Sequence, residues 1–148
     1  MRYEEKRMNL FDVDDKYYLT HCISADAGID DRAMGLGIVV EFNKRFHVKS
    51  QITKLVREKG CPLKVGSCLI LGKVINLITK SKYYGKPTYN TLRMSLEDLK
   101  DFVISENMKH VAMCKIGSGL DKLSWGKVRE IIQEVFEDVD VEIIVCSL

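Results

Sequence analysis

The stretch HVAMCKIGSGLDKLSW, residues 110–125, predicts a strand, a loop and the start of a helix in direct succession. HVAMCKI is a short apolar run of the kind that forms a buried strand. After Ser124, apolar residues recur at helical spacing and form one continuous stripe, made of Val128, Ile131, Ile132, Val135, Phe136 and Val139. Between strand and helix, Gly117 and Gly119 leave backbone N–H groups uncovered, an arrangement that can hold a phosphate. Taken alone, such a pair of glycines is more often a plain turn.

Strand-like runs alternate with helical patterns along the rest of the chain. Four further apolar runs predict strands, YYLTHCI (17–23), SCLILG (67–72), VINLITK (74–80) and VEIIVCSL (141–148), with a tight hairpin at 72–73. Helical spacing predicts helices over 38–46, over 50–60 with Ser50 as N-cap, and over 92–103. This alternation predicts a three-layer α/β/α sandwich with a mixed central sheet, built as one domain over 1–148. Ligands of such folds bind beyond the carboxyl ends of the strands.

Composition narrows the class of protein. Of the 148 residues, 46% are hydrophobic and 30% charged, as in ordinary globular proteins. The net charge of +2 is too small to indicate a nucleic-acid or membrane partner by itself. Five cysteines without a CxxC motif, and no signal-like apolar start, predict a cytoplasmic or nuclear protein that is not secreted. The three histidines lack metal-ligand spacing, so we expect no metal site, and a chain of this size is expected to be a monomer.

Three features suggest chemistry. The loop MGLG, with Gly35 and Gly37, opens the first helix as a second bare glycine loop, and two such loops favour a diphosphate ligand. Neither loop has the pattern of a Walker loop or of a dinucleotide-binding GxGxxG. Asp121 is either a solvated cap or a carboxylate placed for acid–base work. Lys80, at the end of a strand, is either a surface residue or a nucleophile, and a nucleophile would require burial or a neighbouring cation.

Five segments together resemble the macrodomain family, and more narrowly its terminal ADP-ribose protein glycohydrolase branch. They are HCIS (21–24), MGLGIVVEF (34–42), LITK (77–80), KPTY (86–89) and GSGLDKLSW (117–125), and they occur in the family's order along almost the whole chain. The macrodomain fold that the resemblance implies is the sandwich predicted above.

The resemblance implies an enzyme that removes mono-ADP-ribose or terminal ADP-ribose from acidic side chains of modified proteins, without a cofactor. Lys80 would attack the anomeric carbon, and Asp121 would assist and help to resolve the adduct. The partners implied are ADP-ribose and mono-ADP-ribosylated protein. The residues expected to bind ADP-ribose are Asn9, Leu10, Ser24, Met34, Gly35, Leu36, Gly37, Ile116, Gly117, Ser118, Gly119 and Leu120.

Two departures from the family pattern bear on specificity. Asn9 stands in MNLF where the family has the aspartate of GDLF, and asparagine brings no charge to an adenine contact. Residues Ala27–Ala33 form an apparent insertion, whose Asp30 and Asp31 would lie beside the ribose pocket. We expect these two residues to form a solvated loop tip, and the alternative is that they tune which substrates enter. Three alternatives remain open: a non-catalytic ADP-ribose reader, an eraser of ADP-ribose from nucleic acid, and a deacetylase of O-acetyl-ADP-ribose.

Overall fold

The computed structural model describes all residues, 1–148. In chain order the elements are β1 (Arg2–Arg7), a 3₁₀ turn (Leu10–Asp12), β2 (Tyr18–Ser24), α1 (Val39–Phe46), α2 (Val48–Lys59), β3 (Ser67–Leu71), β4 (Val74–Lys80), α3 (Tyr89–Ser105), β5 (His110–Met113), α4 (Trp125–Val135) and β6 (Glu142–Ser147). None of the four helices combines the length and apolar character that crossing a membrane requires.

All six strands form one sheet in the order β1-β6-β5-β2-β4-β3. Four of the five pairings are parallel, and only the β3–β4 hairpin is antiparallel. The mixed sheet predicted from the sequence is therefore confirmed. Strand β4 is the inner strand of this hairpin, and its residues 74–79 are all buried, as its apolar run indicates.

Two hydrophobic cores cover the two faces of the sheet. Helices α1 and α2 pack on one face, where Phe42 and Ile52 are fully buried beside Ile78. Helices α3 and α4 pack on the other face, around Leu96 and Ile132. Because successive residues of a strand point to opposite faces, strand β4 supplies Ile75 and Leu77 to one core and Val74 and Ile78 to the other. The three-layer sandwich is confirmed.

Strand β1 has no counterpart in the sequence prediction. Its residues RYEEKR are mostly exposed and do not alternate apolar with polar, so they carry no strand pattern. The strand forms because its backbone pairs with β6, from Arg2 opposite Glu142 to Arg7 opposite Ser147. A charged edge strand of this kind also discourages pairing with another chain.

Helix α2 begins at Val48, two residues before the predicted N-cap at Ser50. His47, with φ 53°, both ends α1 and precedes α2, so one left-handed residue separates the two helices. The side chain of Asn43 accepts a hydrogen bond from the Lys49 N–H at 3.0 Å and so supplies the cap that Ser50 was expected to give. Helix α4 ends at Val135, earlier than its apolar stripe suggested, although Phe136 and Val139 are still buried.

The ends of β2 and β5 form the crevice that matters for ligands. These two strands are neighbours in the sheet. The chain leaves β2 toward α1 on one face and leaves β5 toward α4 on the other. Where connections diverge to opposite faces, a crevice opens outside the carboxyl ends of the strands, and ligands of α/β folds bind there. Both glycine loops lie at this point.

The core imidazole of His21 makes stability depend on pH. Burial lowers the pKa of His21 to about 4. The unfolded chain takes up a proton below a pKa of about 6.5, so stability is lost as pH falls from there to about 4, by about 3 kcal/mol in total. Nε2 lies 2.6 Å from Oδ1 of Asn76, a contact that the amide of His21→Gln can reproduce. Urea unfolding between pH 7 and pH 4 should therefore show a steeper loss for the wild type than for His21→Gln. Equal slopes would mean that folding does not lower the pKa of His21.

Candidate active site

Lys80 and Asp121 form an ion pair inside the crevice. Nζ of Lys80 lies 2.7 Å from Oδ1 of Asp121, and the two side chains are only 17% and 14% exposed. Lys80 is the last residue of β4, and Asp121 follows the glycine loop after β5, with β2 between the two strands. The structure thus brings together the two side chains that the sequence singled out as catalytic candidates. Their catalytic roles stay a prediction.

The surroundings of Lys80 meet one of the two conditions that nucleophilic chemistry was expected to require. The sequence argument asked for burial or a neighbouring cation. The structure supplies burial, but the direct neighbour of Nζ is the carboxylate of Asp121. At 2.7 Å the carboxylate is also in position to take the proton from Nζ.

The backbone of residues 116–120 forms a tight loop under one side of the crevice. Gly117 has φ 72°, and a Cβ there would lie 3.1 Å from Cδ1 of Leu123. Its carbonyl accepts a hydrogen bond from the Leu123 N–H at 2.8 Å, which closes the loop onto the segment before α4. A Cβ on Gly119 would meet nothing within 4 Å. The two glycines therefore serve different purposes: Gly117 permits the turn, and Gly119 leaves the space above the loop open.

Alanine at each glycine separates these purposes. We expect Gly117→Ala to lower the free energy of unfolding by about 1–2 kcal/mol, because L-residues are strained at this φ. We expect Gly119→Ala to leave stability unchanged and to weaken ADP-ribose binding at least about tenfold, because the methyl group enters the cleft. Thermal melts and calorimetry on both variants provide the test. Unchanged affinity in a folded Gly119→Ala would remove this loop from the binding site.

The loop 34–37 forms the facing wall of the cleft. Met34 and Gly37 both have positive φ, 65° and 79°, and the Met34 carbonyl accepts a hydrogen bond from Nδ2 of Asn43 in α1. A Cβ on Gly37 would lie 3.2 Å from Cδ1 of Leu120, so the two glycine loops approach each other closely. Leu36 and Leu120 are 77% and 59% exposed at the mouth between them.

Three adjoining cavities run along this edge of the sheet. The first, of about 330 Å³, is lined by Cys22, Leu36, Gly37, Ile38, Val39, Lys80, Cys114, Lys115, Ile116, Gly117, Gly119, Leu120 and Asp121. The second, of about 370 Å³, shares Lys80 and Asp121 with the first and is also lined by Ser24, Met34 and Gly35. The third, of about 560 Å³, includes Asn9 and Leu10 and shares Ile38, Cys114 and Lys115 with the first. Lys80 and Asp121 therefore lie where the first two cavities meet.

Of the residues predicted to bind ADP-ribose, all but Ser118 line one of these three cavities. Ser118 turns its hydroxyl inward and donates to the Lys115 carbonyl at 2.7 Å, so it contributes backbone only. Asn9 caps the 3₁₀ turn, because its Oδ1 accepts from the Phe11 N–H at 3.0 Å. The side-chain oxygen of Asn9 is thereby engaged within the protein, and its side-chain NH₂ group remains available to a ligand.

The segment Ala27–Ala33 is packed, and only its tip is solvated. Ala27 and Ala33 are fully buried. Gly28 lies against α2, where an added Cβ would meet Val56 and Ile52 at 3.1 and 3.2 Å. Ile29, Asp31 and Arg32 are exposed. The expectation of a solvated loop tip holds for Asp31, whereas Asp30 is half-buried and its carboxylate pairs with Arg32 at 2.9 Å.

Sequence reasoning missed a buried carboxylate that organises the second cavity. Asp26 is 5% exposed, accepts a hydrogen bond from the hydroxyl of Ser24, and accepts another from the Tyr83 N–H at 3.0 Å. It thus joins the end of β2 to the loop that follows β4. Its position, two residues after a buried strand at the ligand edge, was the available signal. Lys86 was likewise overlooked within KPTY; its Nζ donates to the Leu120 carbonyl at 2.7 Å.

Two cysteines form part of the floor of the first cavity, beside Lys80. Burial raises the pKa of the Cys22 thiol well above its usual range, and burial raises the pKa of Cys114 to about 11. Both therefore remain neutral thiols at physiological pH and behave as small apolar residues. Lys80 is left as the candidate nucleophile in this part of the cleft.

Comparison with solved structures identifies the class of fold. The structure matches the macrodomain of Thermus aquaticus DarG with a TM-score of 0.82, covering 99% of this chain and 98% of that chain at 21% identity. Together with the cleft at the ends of β2 and β5, this similarity defines the fold as a macrodomain, as the sequence motifs predicted.

Two relatives narrow the class to a family. The chain is 38% identical to a Bos taurus protein named ADP-ribose glycohydrolase OARD1, and 37% identical to the Homo sapiens protein of that name. Each match spans 134 residues, which are 88% of this chain and 81% of the relative. The chain belongs to the family of OARD1 ADP-ribose glycohydrolases. No family model matches the chain.

Proposed function

We propose that this protein is a hydrolase that removes ADP-ribose from acidic side chains of modified proteins. The observation that carries the proposal is the buried Lys80–Asp121 pair, 2.7 Å apart, at the meeting point of two cavities between the glycine loops. The relatives in its family are named as ADP-ribose glycohydrolases, which supports the same activity.

Binding is assigned along the cleft. The diphosphate lies against the backbone of Gly117–Leu120, where the open space above Gly119 admits it. The loop 34–37 covers it from the opposite wall. The adenine end reaches the third cavity beside Asn9, and the distal ribose reaches the second cavity beside Ser24. This placement brings the anomeric carbon to Lys80, where the first and second cavities meet.

The reaction divides into two steps. In the first, Nζ of Lys80 gives a proton to Asp121 and attacks the anomeric carbon, while the bond to the ester oxygen breaks and the target carboxylate leaves with the electron pair. In the second, water adds to the same carbon, the C–N electron pair returns to Nζ, and Asp121 moves protons between water and amine. The products are ADP-ribose and the free carboxylate, with one proton released to solvent.

A reader without catalytic activity would not need this pair. A buried ion pair is weak evidence for stability, since the cost of desolvating two charges offsets their attraction. Binding a diphosphate uses the glycine loops and requires neither a lysine nor an aspartate. The presence of both side chains, largely shielded from solvent and in direct contact, therefore favours the hydrolase over the reader.

A substrate comparison tests the proposal. A protein carrying glutamate-linked ADP-ribose, an ADP-ribosylated oligonucleotide and O-acetyl-ADP-ribose are each incubated with the enzyme, and released ADP-ribose is quantified. We expect turnover of the glutamate-linked substrate. Binding of ADP-ribose by calorimetry without release from any of the three would identify a reader.

One observation favours nucleic acid as a second candidate for the modified partner. At the mouth of the second cavity, Tyr84 is 69% exposed, and Arg32, Lys86 and Lys122 also line the opening. Exposed aromatic rings among basic side chains are the arrangement that stacks bases and contacts phosphates of single strands. Faster release from the oligonucleotide, lost in Tyr84→Ala, would establish this alternative.

A further inference from the structure

Positive charge is concentrated in one part of the chain. Residues 39–64 hold seven basic side chains, Lys44, Arg45, Lys49, Lys54, Arg57, Lys59 and Lys64, against the two acidic residues Glu41 and Glu58. This segment therefore carries a net charge of +5, whereas the whole chain carries +2, so the remaining residues carry −3. The small overall charge conceals a basic layer formed by α1 and α2.

Most of these basic side chains have no acidic partner. Lys54, Arg57 and Lys59 of α2 form no ion pair with any carboxylate. On the opposite layer, acidic side chains equal or outnumber the basic ones in α3 and α4, and two of the basic ones form the pairs Arg93–Glu134 at 2.6 Å and Arg129–Glu5 at 2.5 Å. Among the four helices, an excess of basic over acidic side chains is thus found in α1 and α2 and is larger in α2.

The exposed side of α2 has the form of a shallow groove. It is lined by Lys49, Ser50, Thr53, Lys54, Arg57 and Glu58, with no hydrophobic residue among them. We call the side chains of Lys49, Lys54, Arg57 and Lys59 the α2 basic surface. The side chains of lysine, arginine, serine and threonine are among those that contact the phosphate oxygens of nucleic acids.

The apolar side of α2 is already occupied. Val48, Ile52 and Val56 are buried against the sheet. None of the large hydrophobic residues that the fold exposes lies within residues 44–64. A membrane surface binds helices through an apolar face, and protein interfaces have a buried apolar or aromatic centre. The α2 basic surface offers neither, so a chain of phosphates is the partner that it fits.

We propose that the α2 basic surface binds the phosphate backbone of a nucleic acid, outside the catalytic cleft. None of its four side chains lines the three cavities of the cleft. The packed segment Ala27–Ala33 lies between the two sites. Nζ of Lys49 donates a hydrogen bond to the Asp31 carbonyl of this segment. The inference goes beyond the proposed function and does not depend on it.

The proposal is tested with an unmodified DNA duplex. Its binding is measured by fluorescence anisotropy over a range of salt concentrations. Each phosphate contact adds about 0.9 to the slope of log affinity against log salt. We expect K54E/R57E to weaken binding at least about tenfold at low salt and to lower the slope by about 2. The matched control is K100E/K127E, which makes the same change in net charge on α3 and α4. The affinity of this control for the duplex should fall by less than about threefold. K54Q/R57Q removes the two charges without adding acidic groups near the end of the helix, and should show the same loss of slope.

Three further results decide the matter. Saturating ADP-ribose should not displace the duplex, and K54E/R57E should keep the hydrolase activity of the wild type on a modified peptide. The proposal is overturned if the wild type shows no salt-dependent binding, or if K100E/K127E loses as much affinity as K54E/R57E. It is also overturned if poly-glutamate or vesicles with anionic lipid bind as tightly as the duplex at equal salt, because the surface would then serve another class of partner.

Discussion

Lys80→Ala is expected to lower the rate of ADP-ribose release from a glutamate-linked substrate by roughly 10³-fold or more. The side chain is the only amine that contacts Asp121, and no reactive thiolate is available beside it. ADP-ribose itself should still bind, since the glycine loops contact it through their backbone. Single-turnover kinetics together with calorimetry measure the two properties separately.

Trapping the intermediate provides a direct readout of the lysine. The adduct on Lys80 can open its ribose ring, the ring C–O bond breaking as the nitrogen lone pair forms an imine. Borohydride added during turnover should reduce this imine to a stable secondary amine, which peptide mass spectrometry should locate at Lys80. The matched control is Lys82→Ala, which removes an exposed lysine that lines none of the three cavities and should leave both turnover and trapping unchanged. If Lys80→Ala still releases ADP-ribose at the rate of the wild type, the lysine mechanism is wrong.

Asp121→Ala is expected to lower turnover by roughly 10²- to 10⁴-fold, the usual contribution of a positioned acid–base group. ADP-ribose should bind at least as tightly as to the wild type. Removal of the carboxylate takes a negative charge out of the cleft that the diphosphate enters and frees Lys80 from its partner. Calorimetry on the folded variant tests the affinity.

Two companion variants make this prediction specific. Asp121→Asn keeps an oxygen that can accept from Nζ but cannot take its proton, so turnover should fall nearly as far as in Asp121→Ala. The double variant Lys80→Ala with Asp121→Ala should be little slower than Lys80→Ala alone, because the two side chains act as a unit. Loss of ADP-ribose binding in either folded Asp121 variant would contradict the assignment of binding to the loop backbone and of chemistry to the carboxylate.

The local patterns of the sequence determined the fold class and the composition of the cleft. Apolar runs such as VINLITK predicted strands, because each side chain of a strand buried on both faces must be apolar or hydrogen-bonded. The glycine loops were visible because bare backbone requires glycine at particular places. Strand β1 was missed because its six residues are held by backbone hydrogen bonds to β6, which leave no mark on side-chain pattern. The Asn43 cap of α2 was missed for a similar reason, since a side chain six residues away supplied it.

The sequence by itself determined which side chains were available for chemistry, and only the tertiary structure decided which of them meet. Lys80 and Asp121 are 41 residues apart, and they come into contact because β4 and β5 both flank β2 and end at the same edge of the sheet. The sequence likewise fixed the net charge at +2, whereas the fold determined where basic side chains lack an acidic partner. Ion pairs and electrostatic fields depend on distances through space, and distances through space are set by sheet order and helix packing.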